Sequence, residues 1–133
     1  IMHKFILARW IGKTYIEPWM KTAECVAWAK MYCNQSWYSI RSFGGSAWNG
    51  WNTWKPFDSY WKRIEKTPMN YPKEWDIIFW NEKRCKNGHV AVANRFCNPL
   101  VLRYSDQNWT WRQDKIQNRF WTYLNVVGWY TKL

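Results

Sequence analysis

Asp76-Ile77-Ile78-Phe79-Trp80, His89-Val90-Ala91-Val92-Ala93 and Leu100-Val101-Leu102-Arg103-Tyr104 are the three runs whose reading decides the fold. Each is short, apolar and rich in β-branched or aromatic residues. Turn formers such as Lys86-Asn87-Gly88 separate them, which is the pattern of neighbouring antiparallel strands. Downstream, Val126-Val127-Gly128-Trp129-Tyr130 reads as a last strand, with Trp109 to Trp111 and Phe120 to Leu124 as further contributors. Upstream the character changes. The segment from Pro68 to Pro72 stops helical structure, and before it Phe57, Trp61 and Ile64 repeat at i, i+4 and i+7, the spacing of an amphipathic helix. Residues 46 to 52 predict a short helix after Gly44-Gly45, and residues 21 to 33 predict the first helix, with Thr22 as its N-cap. Helices first and strands second predict an α+β domain whose N-terminal helices pack on an antiparallel β-sheet.

No internal repeat, low-complexity tract or linker interrupts the 133 residues, so residues 1–133 read as one domain large enough to hold its own core. Twenty Lys and Arg against nine Asp and Glu give a net charge of +11, which favours an anionic polymer over a neutral small molecule. Fourteen Trp exceed what such a core can hide, so several are expected at the surface, where flat rings stack on sugars or bases. No window approaches the roughly 18 apolar residues of a membrane span, and the N-terminus has no signal-peptide pattern. The chain reads as a soluble monomer. Its four cysteines, Cys25, Cys33, Cys85 and Cys97, contain no C-x-x-C pair and read as free thiols; neither a metal site nor a cofactor is expected.

Three features carry chemistry. Cys25 falls near the start of the first predicted helix, where unpaired N–H groups and the helix dipole favour a thiolate. His89 follows Asn87-Gly88 and opens a strand, a position that suits a general base. Asp106 and Asn108 stand two apart in Ser105-Asp106-Gln107-Asn108-Trp109, on one face if extended, and either could accept the second imidazole N–H and fix the tautomer.

Glu24-Cys25-Val26-Ala27-Trp28, Gly45-Ser46-Ala47-Trp48, Asp76-Ile77-Ile78-Phe79-Trp80, Asn87-Gly88-His89-Val90-Ala91-Val92, Asp106-Gln107-Asn108-Trp109 and Val127-Gly128-Trp129 follow one another in the order of the landmarks of the CHAP family. The chain resembles that family of cysteine, histidine-dependent amidohydrolases and peptidases, common in phage endolysins and bacterial autolysins, from about Trp10-Ile11-Gly12-Lys13 to the final strand. The resemblance implies a papain-like, NlpC/P60-type domain that cuts peptidoglycan, either at the muramoyl-L-alanine amide or within the peptide. It also implies Cys25 as nucleophile, His89 as base, and Asp106 and Asn108 as their companions. Glu24 stands where many members have a Gln that helps bind the oxyanion, and an ionised Glu cannot donate. Trp75 replaces the Gly that usually precedes the Asp-Ile strand, so the turn into that strand is expected to differ. The calcium loop of some phage members has no counterpart, because Tyr15-Ile16-Glu17-Pro18-Trp19-Met20 holds one carboxylate.

The resulting expectation is a bacteriolytic hydrolase acting on the bacterial cell wall, secreted or released by phage lysis. Glu24, Trp48, Trp51 and Trp109 are expected to contact the substrate, peptidoglycan and anionic wall polymers to be the partners, and nucleic acid not to be one. The rival reading is a non-enzymatic, basic, Trp-rich module that binds wall polymer or nucleic acid. That reading accounts for the charge and the Trp count but not for the order of Cys25, His89 and Asp106-Gln107-Asn108.

Overall fold

The structure, a computed structural model, describes residues 11–12, 51–52, 61–81, 83, 88–94, 96–106 and 116–132. Six strands run through them: β1 (Trp61–Glu65), β2 (Ile77–Trp80), β3 (His89–Ala93), β4 (Leu102–Asp106), β5 (Gln117–Trp121) and β6 (Val126–Lys132). All belong to one sheet in the order β1-β6-β2-β3-β4-β5, and every pair is antiparallel. The three apolar runs therefore become the adjacent strands β2, β3 and β4. The third begins at Leu102, two residues later than its apolar run, because Asn98 Oδ1 accepts the N–H groups of Leu100 and Val101 and holds them in a turn.

The α+β, papain-like architecture expected from the sequence is corrected here: the described residues form an all-β antiparallel sheet, and none of their elements is a helix. The expected helix over residues 21 to 33 lies outside the described residues. Of the short helix expected over 46 to 52, Trp51 and Asn52 are described and have helical backbone. Of the periodic run Phe57, Trp61 and Ile64, Phe57 lies outside the described residues, and Trp61–Glu65 is a strand, not a helix. Three apolar positions at helical spacing are too few to set a period, and β-branched and aromatic residues also suit a pleated edge. β6 decides the matter by offering a ladder to pair with, from Trp61↔Lys132 to Glu65↔Gly128.

β2 and β3 are buried along their whole length, so apolar layers cover both faces of the sheet centre. Alternation along the strands divides the layers. One face holds Ile78, Trp80, Ala91, Ala93, Leu102, Tyr104 and Trp129, with Cys97 packed beneath. On the other, Trp51 stacks on Tyr130 and leans on Phe79, with ring centroids 5.5 and 5.7 Å apart.

Trp75 has φ 77°, the conformation that glycine adopts freely, and donates its N–H to Ala93 O at 2.7 Å. The turn into β2 thus uses a left-handed residue even though a bulky side chain occupies it. Gly128 in β6 is required for a different reason: a Cβ there would collide with the carbonyl oxygen of Ile64 and come within 2.6 Å of the Trp51 ring. A backbone oxygen in a paired strand cannot step aside. Gly128→Ala is expected to destabilise the protein by about 1–3 kcal/mol, the range for overpacking a tight site, measured as a lower urea midpoint at unchanged m-value. An unchanged midpoint would show that β1 and Trp51 do not approach β6 so closely.

Candidate active site

His89 enters β3 straight after Gly88, whose φ of 71° turns the chain into the strand. Pairing opposite Trp80 fixes its backbone, and the Trp80 ring lies edge-on to the imidazole with centroids 5.3 Å apart. Period-two alternation puts His89 on the face of Ala91 and Ala93. Ala93 pairs with Tyr104 in β4, and Asp106, two residues on, shares that face. The diagonal across the two strands brings the side chains together: His89 Nε2 lies 2.7 Å from Asp106 Oδ2. Both are buried, His89 at 1% and Asp106 at 0% exposure.

The next strand adds a third member. Tyr104 pairs with Arg119 in β5, so Arg119 shares the face of Asp106, and its Nε donates to Asp106 Oδ1 at 2.8 Å. His89, Asp106 and Arg119 form one row across β3, β4 and β5. Each carboxylate oxygen takes one partner. A carboxylate paired with a guanidinium only accepts, so His89 Nε2 carries the proton of this hydrogen bond, and in the neutral ring the lone pair sits on Nδ1. Such a row can hold an imidazole as a base of fixed direction.

Of the site residues expected from the sequence, the structure thus joins His89 to Asp106. Cys25, Asn108, Glu24, Trp48 and Trp109 lie outside the described residues. Trp51, expected at the surface beside substrate, is 4% exposed and carries the Arg63 guanidinium 3.9 Å above its ring. Its indole is apolar enough to be drawn between the sheet face and that cation. Arg119 was missed. Its one sequence signal was a lone charge inside the short run Gln117–Trp121, and nothing in the linear order says that it faces Asp106. Among the described residues, no group of three His, Cys, Asp or Glu is placed to hold a metal ion, and no helix is long and apolar enough to cross a membrane.

The described cysteine is not part of this row. Cys97 is a buried free thiol that accepts the Arg103 N–H at 3.4 Å and donates to the Arg103 carbonyl at 3.7 Å. Burial pushes its pKa up, with the Arg103 backbone hydrogen bond opposing, which makes it a packing sulfur.

No family model matches the chain, and no curated protein matches it. Solved structures do. The crystal structure of the wild-type endolysin LysIME-EF1 superposes with a TM-score of 0.80 at 16% identity, covering 98% of this chain and 64% of that one. The chain shares its fold with part of this endolysin. Ly7917 superposes with a TM-score of 0.55 at 16% identity over 82% of this chain and 53% of its own. The chain therefore spans less than two thirds of either structure, and at such identity the likeness to LysIME-EF1 is one of fold.

Cys97 is expected to resist a thiol reagent in the native protein at pH 8, since the raised pKa leaves little thiolate there, and to react within minutes in guanidinium. Peptide mapping by mass spectrometry identifies the labelled sulfur. Rapid native labelling of Cys97 would contradict its assignment as a buried, inert thiol.

Proposed function

We propose that this chain is a peptidoglycan hydrolase that cuts an amide or peptide bond of the bacterial cell wall with Cys25 as nucleophile and His89 as base. The observation that carries the reading is the buried hydrogen bond between His89 Nε2 and Asp106 Oδ2, in a chain that shares its fold with an endolysin. Asp106 is the partner that orients the imidazole in this reading.

The reaction runs through the lone pair on Nδ1. His89 takes the Cys25 thiol proton, the thiolate adds to the scissile carbonyl, and the imidazolium returns the proton to the departing amine, leaving a thioester. Water then enters, gives a proton to the same nitrogen as it attacks the acyl carbon, and the thiol is regenerated as the acid product leaves. Asp106 keeps the Nε2–H tautomer throughout and stabilises the imidazolium without taking its proton. The Cys25 backbone N–H is the oxyanion donor in this scheme, because ionised Glu24 cannot donate. Trp48 and Trp109 flank the substrate. The charge of +11 draws the protein to a polyanionic wall, an attraction that salt screens.

Arg119 acts here as a positioning residue. It supplies a counter-charge to a carboxylate at 0% exposure and turns Oδ2 toward the imidazole.

Cys25→Ala and His89→Ala are each expected to slow the clearing of a purified cell-wall suspension by roughly a thousand-fold or more, with released amines or peptides absent by mass spectrometry. Wild-type lysis by Cys25→Ala would reject the nucleophile. Arg119→Met is expected to lower kcat by about 10- to 100-fold, the cost of a small misplacement in a reacting pair, while KM stays within about twofold and Arg119→Lys regains part of the rate. Loss of soluble protein with an unchanged kcat per titrated thiol would mark Arg119 as merely structural.

A further inference from the structure

The opposite face of the sheet, away from His89, carries a second polar cluster. Asn94 follows β3, and β4 and β5 place Ser105 against Asn118 and Arg103 against Phe120. The Asn94 amide donates to Ser105 Oγ at 2.7 Å and to Asn118 Oδ1 at 2.9 Å, and Ser105 Oγ donates to the same Asn118 oxygen at 2.7 Å. These three bonds fix both amides. The Asn118 oxygen is used twice, so its NH2 group remains to donate outward, while Asn94, with its NH2 group used, keeps its carbonyl oxygen to accept.

An open cavity of about 140 Å³ lies here, lined by Asn94, Arg103, Asn118, Arg119 and Phe120. It is smaller than the roughly 300–1,000 Å³ of a pocket for a whole drug-sized ligand, and suits one ring with one substituent. Arg103 has no ion-pair partner among the described residues. The Asp106 carboxylate on the far side of the sheet is already held by Arg119 and His89. Among the described residues that line it, the charged ones are Arg103 and Arg119, both positive. Phe120, on the edge strand, is 72% exposed and stands beside Arg103, a large apolar ring left in water at the cavity mouth.

A fixed amide donor, a fixed amide acceptor, an uncompensated guanidinium and an exposed flat ring are together the complement of an acidic sugar. The amides read hydroxyl or acetamido groups, the guanidinium takes a carboxylate in a two-pronged bond, and the aromatic face covers the apolar side of a pyranose. We propose that this cavity is an accessory binding site for a carboxylate-bearing sugar unit of a wall polymer. It holds the protein on the polymer through Asn94, Arg103, Asn118 and Phe120, and touches the row proposed for hydrolysis only at Arg119. Only the wall as the source of the sugar is borrowed from the function proposed above.

Nuclear magnetic resonance titration of the full chain carrying Cys25→Ala, which removes hydrolysis, tests the proposal. N-acetylmuramic acid and glucuronic acid are the acidic probes, and N-acetylglucosamine and inorganic phosphate are the controls. Either acidic sugar is expected to shift the side-chain amide signals of Asn94 and Asn118 saturably, with Kd about 1 mM, and the tighter of the two identifies the source of the carboxylate. N-acetylglucosamine is expected to bind about tenfold more weakly. Arg103→Gln and Phe120→Ser, at exposed positions that the sheet tolerates, should each weaken the acidic sugar by about tenfold while wall hydrolysis by the same variants on the Cys25 background continues. Absence of localised shifts, equal binding of the neutral sugar, or phosphate shifting the same signals as strongly would each overturn the proposal. None of these outcomes touches the Cys25 mechanism, whose failure would show as lysis by Cys25→Ala.

Discussion

A single carboxylate with no access to water organises the described part of this protein. Asp106 sits at 0% exposure and spends one oxygen on His89 and the other on Arg119. Burying an unpaired carboxylate costs several kcal/mol, so β3, β4 and β5 must be in the register that delivers both partners. A slip of β4 by one residue would turn Asp106 to the other face of the sheet and leave the imidazole unsupported. The bond between His89 and Asp106 therefore also specifies the strand alignment.

The sheet that presents this row is rigid because its centre is dry on both sides. β2 and β3 carry no exposed position, and the rings of Trp80 and Tyr104, 5.0 Å apart, pack around His89 on the side of the row. Insertion of the last strand, β6, between β1 and β2 makes this possible. It closes the sheet with a segment distant in sequence, and the lack of a side chain at Gly128 lets Trp51 and β1 come close enough to seal the other face. Across β3, β4 and β5 the two faces carry different polar groups: an imidazole, a carboxylate and a guanidinium on one, amides and a second guanidinium on the other.

Cys97 shows how environment rather than residue type decides reactivity. Its sulfur is packed under the core and bonded to the Arg103 backbone, so its proton is held tightly. A nucleophile needs the opposite surroundings, with donors and positive charge stabilising the thiolate. The likeness to LysIME-EF1 in fold, at 16% identity, is in keeping with this division: an arrangement of strands survives extensive replacement as long as alternation and packing are kept, whereas a site depends on a few groups.

The sequence by itself determined the central strands, because β2, β3 and β4 are apolar runs bounded by turn formers and each signal is local. It also singled out His89 and Asp106, from the position of one after Asn87-Gly88 and from the motif around the other. It could not determine the character of Trp61–Glu65, since five residues match two periods equally well and the deciding partner, β6, lies more than sixty residues away. Nor could it place Trp51 inside the protein, because a tryptophan suits a core and a binding surface alike until its neighbours are known. Only tertiary pairing settled that Arg119 meets Asp106 while Arg103 faces the other way: which charge meets which is fixed by register across strands, and register is a property of the assembled sheet rather than of any stretch of chain.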